Sequence, residues 1–232
     1  MAAEVSKPVN EANTPHEPAG LSAHRIDALT DGIYAVAMTL LVIELKLPEH
    51  GAIHSYADFT HAVVELWPRF YAWVISFFVM AFFWIGHHRA HNHLRRVDAK
   101  LIALNICQLA FISLMPFSSS LLGAEHTGFL AQAIFAGNMA MLSVFALLTS
   151  GYIYRHPELS AVPMPRGMYR GARIRIGGLI VISALTVLIQ SLVVGGGAGF
   201  GNIAFMLMAV IAPLSRRVER ASDRAAPHPA PG

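Results

Sequence analysis

Two groups of residues in this 232-residue chain carry side chains capable of chemistry. The first is HHRAHNH, which holds His87, His88, His91 and His93. His87 and His91 stand four apart, which on a helix puts both imidazoles on one face, a spacing used in many zinc sites. A tetrahedral centre needs further ligands, and no cysteine or well-placed carboxylate stands nearby. The segment is therefore expected to be a wet helix end, with no metal bound. Haem would require paired histidines deep inside an apolar segment, and these lie at an edge. The second group lies in Arg25 to Pro48, RIDALTDGIYAVAMTLLVIELKLP. Asp27, Asp31, Glu44 and Lys46 flank a charge-free centre, 32–43, that is too short to cross a bilayer alone. Charges so placed are costly in hydrocarbon and point to function. No Ser/His/Asp or Cys/His set is arranged for nucleophilic catalysis, so no enzyme is expected. GGGAGFGN lacks the Gly-x-Gly-x-x-Gly spacing of a nucleotide site. No cofactor is expected either.

The elements that must position these residues are membrane helices. The chain is 13% charged, against roughly 25% in soluble domains, so water is not the solvent for most of its surface. Stretches free of Asp, Glu, Lys and Arg, measured against the roughly 20 residues a spanning helix needs, predict spans at 26–47, 67–90, 97–122, 127–154, 172–194 and 199–217. The glycines of Gly195 to Gly199 make the turn that splits the last long apolar run in two. The fold class is thus all-α, a polytopic membrane protein with six transmembrane helices over 22–217. The polar tails 1–21 and 218–232 are expected to be disordered and cytoplasmic. The N-terminus has no short apolar stretch of the cleavable kind, so the first helix is expected to direct insertion. The lone Cys107 excludes an intrachain disulfide.

Basic residues fix the expected orientation. Of the 17 Lys and Arg residues, only Lys46 and Arg69 fall on one side of the six-span layout. The others occupy the N-terminal segment, the second and fourth connections and the C-terminal tail, which are cytoplasmic by the positive-inside rule. Topology alone accounts for this charge, so nucleic acid is excluded as a partner.

On the first helix, Val36, Thr39, Leu40, Ile43 and Leu47 share a stripe about 100° wide. Spacing alone leaves that stripe open to lipid contact, helix packing or a pore wall. Asp31 lies about 140° from Val36, and its six-residue separation from Arg25 does not bring the two together on one helix. Its partner is expected on another helix or another subunit, in a structural role.

The segment resembles the signature of the transmembrane protein 175 family of potassium channels: Arg, three residues, Phe-Ser-Asp, then a small and apolar helix ending in Glu and Pro. Here these are Arg25, Leu29-Thr30-Asp31 and GIYAVAMTLLVIELKLP. Trp84-Ile85-Gly86-His87-His88, Asn105 and Met115-Pro116-Phe117 look like the family too, and the likeness runs over about 22–217. The resemblance implies a bacterial inner-membrane homotetramer with a central pore lined by the first helix. Carried over, Val36 is the hydrophobic constriction, Leu40 and Ile43 are further apolar rings, and Thr39 is a hydroxyl ring. Arg25, Thr30, Asp31, His87 and His88 carry over as a structural polar network. The implied partners are lipid, monovalent cations and further copies of the chain, with K⁺ permeating. Leu29, Thr30 and Val36 depart from the family's Phe, Ser and Ile, and valine, one methylene shorter, widens a four-fold ring.

No Thr-Val-Gly-Tyr-Gly filter is present, so gating by dewetting of the apolar neck and a modest K⁺ preference are expected. Two other classes make different demands on the sequence. A secondary or proton-coupled transporter would place ionisable residues at mid-membrane and show related halves, and neither is seen. A membrane metal enzyme would rest on the histidines alone.

Overall fold

The computed structural model describes residues 23–47, 54–123, 128–192, 217 and 219. Seven α-helices organise them: α1 (Ala23–Ile43), α2 (Tyr56–Glu65), α3 (Trp67–His91), α4 (Ala99–Ser113), α5 (Met115–Gly123), α6 (Gly128–Arg155) and α7 (Arg166–Leu192). Among the described residues the fold is all-α, with one isolated bridge between Leu94 and Ser160. Five stretches are long and apolar enough to cross a membrane: His24–Ile43, Tyr56–His91, Ala99–Gly123, Gly128–Arg155 and Arg166–Leu192. They correspond to the first five expected spans. The sixth, the 195–199 turn and the two tails lie outside the described residues, apart from Arg217 and Glu219, which are helical.

Local chemistry sets the helix limits. Asp98 caps α4, its carboxylate accepting from the Leu101 N–H at 2.8 Å. Ser55 caps α2 by accepting from the Asp58 N–H at 3.1 Å, while Asp58 reaches back to the His54 N–H at 3.1 Å. Two spans are bent, and for the same reason. Pro68 and Pro116 stand second in α3 and α5, where a missing N–H is tolerated, but neither can donate to the preceding turn. The breaks fall at Leu66 and Leu114, both near right-handed helical geometry, so the chain bends and continues. The six expected spans do not include α2.

The core joins Tyr34 and Leu41 of α1 to Met80 and Phe83 of α3, Ile112 of α4, Met115 of α5, Phe135, Met139 and Leu142 of α6 and Leu179 of α7. Lipid is as apolar as these side chains, so close packing and buried hydrogen bonds supply the adhesion. Ser76 donates to Ser119 at 2.8 Å, joining α3 to α5, and Asn138 of α6 donates to Ser118 at 3.1 Å. Gln190 is buried with its Oε1 unpartnered among the described residues.

The two ends of the bundle differ in charge. Residues linking α3 to α4 clasp those linking α6 to α7: Arg95 N–H donates to the Leu159 carbonyl at 2.8 Å and Ala161 N–H to the His93 carbonyl at 2.8 Å. Arg89 and Arg175 both donate to Glu219, at 2.5 and 3.4 Å. Lys46 and Arg69 belong to the other end, since α3 runs from Trp67 to His91. There α5 meets the start of α3 so closely that a Cβ added at Gly123 would stand 2.9 Å from the Arg69 Cα. Backbone cannot yield as a flexible side chain can. Gly123→Ala should therefore destabilise the fold by about 1–3 kcal/mol, read as a lower melting temperature in detergent.

Candidate functional site

The first helix has one packed face and one bare face. Ile26, Thr30, Tyr34, Ala37 and Leu41 are buried against α3, α4 and α5. They recur every three or four positions, as one face of an α-helix must. Rotated from them by about 120° at 100° per residue lies the predicted stripe. Its members are exposed: Val36 is 58%, Leu40 42% and Ile43 53% accessible, and Thr39 is exposed as well. The packing of one chain thus leaves the four predicted pore residues uncovered. Val36 and Leu40, with Leu29 and Gly32, also line a groove of about 740 Å³ whose opposite wall is Ile106, Ala110 and Ser113 of α4.

Thr39 donates its hydroxyl proton to the Val36 carbonyl at 2.8 Å. The hydroxyl is then committed as a donor and keeps its oxygen lone pairs free as acceptors. That is the state in which a threonine oxygen can contact a cation.

Below the stripe a polar network fastens α1. Thr30 is fully buried and accepts from Asn105 Nδ2 at 2.9 Å. The Asn105 carbonyl oxygen faces His87 Nε2 at 3.0 Å, and a carbonyl only accepts, so His87 donates there. His91 Nδ1 stands 3.0 Å from the Asp27 carboxylate, and the His87 and His91 rings lie 3.7 Å apart. Asp31 accepts from the Trp84 indole N–H at 2.8 Å, and Trp84 stacks on His88 at 5.6 Å. The expectation that Asp31 is partnered from another helix matches this bond. One chain thus draws Thr30, Asp31, His87 and His88 toward the same end of α1. Arg25 is exposed and has no hydrogen bond or ion pair among the described residues.

Sequence reasoning missed three members: Asp27, His91 and the indole of Trp84. The only available signal was position, since Asp27 is one turn before Asp31 and His91 one turn after His87. Among the described residues no three His, Cys, Asp or Glu side chains converge to hold a metal ion. The His87 and His91 imidazoles lie against each other, tilted by 32°, with His87 Nε2 turned to Asn105 and His91 Nδ1 to Asp27.

Five apolar spans, a first helix pinned at one end by buried polar bonds, and a bare stripe along that helix define a polytopic helical membrane protein. Residues 25–116 match the family model described as Endosomal/lysosomal potassium channel TMEM175, and this segment belongs to that family. A potassium channel of Streptomyces collinus is 33% identical over 102 residues, 44% of this chain and 48% of the relative. A potassium channel of Chamaesiphon minutus is 31% identical over 124 residues, 52% of this chain and 60% of the relative. The chain thus spans about half the length of these curated relatives. The crystal structure of a lysosomal potassium-selective channel TMEM175 homolog from Chamaesiphon minutus superposes with a TM-score of 0.66 at 25% identity, over 83% of this chain and 97% of that one.

Proposed function

We propose that this chain is a potassium-permeable cation channel, not an enzyme, and that four copies assemble around a pore lined by α1. The observation that carries this reading is the bare stripe. Val36, Thr39, Leu40 and Ile43 are left uncovered by a bundle that buries another face of the same helix. The groove between α1 and α4, lined by small residues such as Gly32, Ala110 and Ser113, offers a neighbouring copy room for close approach. The names of the bacterial relatives agree in function. The pore so formed has Val36 at its neck, closes by dewetting, and uses no carbonyl filter. Arg25, without a partner among the described residues of one chain, is placed to meet a neighbour. The two ends of the chain face the cytoplasm across the bacterial inner membrane, on the side of the clasped basic connections.

Electrical recording of the reconstituted protein in opposed K⁺ and Na⁺ gradients tests the reading. Unitary currents with a reversal potential displaced toward that of K⁺ are expected. Saturable uptake without unitary currents would sink it and favour a carrier. Thr39 has its own test. An accepting oxygen contributes about 1 kcal/mol per contact, so Thr39→Ala should lower the K⁺ over Na⁺ flux ratio in liposomes severalfold while leaving conduction intact. An unchanged ratio removes Thr39 from the ion path.

A further inference from the structure

Lys46, just past the end of α1, and Arg69, in the first turn of α3, are the only Lys or Arg among the described residues at the end of the bundle opposite His91, and they line one crevice. Its volume is about 230 Å³, and Glu44 and Trp73 share its wall. None of the three charged side chains makes an ion pair or hydrogen bond among the described residues. The Trp73 indole nitrogen is shut off from solvent, without an acceptor among the described residues. The crevice therefore presents two cationic groups, both donors, beside one carboxylate acceptor.

Trp73 also belongs to a column of rings. Trp67 and Phe70 lie 5.8 Å apart, Phe70 and Trp73 5.5 Å, and Trp73 and Phe77 5.7 Å, descending α3 from its first turn toward mid-membrane. Trp67 and Phe70 are exposed on the bundle surface. Tryptophans at this level belong to the belt where headgroups meet hydrocarbon. A polar crevice that opens onto an apolar aromatic column is matched by an amphiphile with a charged head and an alkyl tail.

We propose that the crevice binds a phospholipid of the phosphatidylethanolamine class. The phosphate is held by Arg69 and Lys46, the primary ammonium by Glu44, and one acyl chain lies along the column from Trp67 to Phe77. Phosphate and guanidinium suit one another in charge and geometry. Glu44 discriminates between headgroups. A choline headgroup offers it no N–H, and a phosphatidylglycerol brings a net negative charge beside it. On the proposed orientation this is the outer leaflet, but binding depends neither on sidedness nor on conduction, so failure of the channel reading leaves it standing.

Native mass spectrometry of the detergent-purified full chain tests it. The protein is offered phosphatidylethanolamine, phosphatidylcholine and phosphatidylglycerol of identical acyl chains, and free phosphoethanolamine as competitor. Phosphatidylethanolamine should be retained about tenfold better than phosphatidylcholine, a difference of about 1.4 kcal/mol. Lys46→Gln with Arg69→Gln should abolish that retention. Glu44→Gln should erase the preference over phosphatidylcholine while phosphatidylglycerol binding rises. Equal retention of the three lipids by the unaltered protein, or retention unchanged by Lys46→Gln with Arg69→Gln in a protein that still elutes as one species, overturns the proposal. So does displacement of the lipid by millimolar phosphoethanolamine, which would mark a site for the free headgroup.

Discussion

Liposomes carrying Val36→Asn are expected to leak K⁺ on the order of 30-fold faster than those carrying the unaltered chain. Val36 is exposed on the bare face of α1, so the substitution disturbs no contact within the chain's core. Its effect falls on whatever occupies that face. In a four-fold neck, water is expelled because apolar walls give it no hydrogen bonds. Replacing about 20 Å² of apolar lining per subunit, at about 25 cal/mol per Å², shifts the balance toward the wet state by about 0.5 kcal/mol per copy. Four copies give about 2 kcal/mol, and each 1.4 kcal/mol is a factor of ten. Val36→Ile supplies the opposite sign: one added methylene narrows and dries the neck, so flux should fall below that of the unaltered protein. Flux unchanged by both substitutions, in protein that elutes at the same oligomeric size, would remove Val36 from the ion path.

The spans were legible because hydrocarbon tolerates few charges, and five of the expected ranges overlap the described helices closely. Where they differ, the reason is that a helix does not end where the hydrocarbon does. The fifth span was expected from 172, yet α7 begins at Arg166, and Arg166, Arg170 and Arg173 ride its first turns beyond the apolar segment. A charge-free window clips such a start. Residues 56–65 escaped notice because Asp58, His61 and Glu65 break their apolar run, although Ser55 and Asp58 form a capping pair. The stripe on α1 was legible because helical period is an intrachain property. The network was only half legible because period names a face and not its neighbour. Trp84 meets Asp31 across 53 positions and His91 meets Asp27 across 64, and only the packing of α1 against α3 closes those gaps. Asn105, noted in the sequence only as a family-like residue, is the one on which the network turns.

That position sets the other large expected effect. Asn105 is 1% accessible and satisfies two helices at once, donating to Thr30 on α1 and accepting from His87 on α3. Asn105→Leu keeps the volume and removes both bonds. It strands the Thr30 hydroxyl and the His87 Nε2–H, each buried, at about 1–3 kcal/mol per unsatisfied group. Interhelical hydrogen bonds in membranes average only about 0.6 kcal/mol, because the separated helices find other partners. The stranded groups here are walled in by folded neighbours and find none, so a loss of about 2–4 kcal/mol is expected, read as a lower melting temperature in detergent. Thr30→Val isolates the cause. It replaces the hydroxyl by a methyl of similar shape, leaves the His87 bond in place, and should cost less. Combined with Asn105→Leu it should add almost nothing further on the α1 side, since both remove the same bond. Fully additive losses would mean that the Asn105 to Thr30 bond does not hold α1. A sub-additive result places the fastening of α1 at Thr30, under two turns of helix from Val36. The same Asn105→Leu protein should then conduct with altered open probability, because the helix that carries the neck has lost its fixed end.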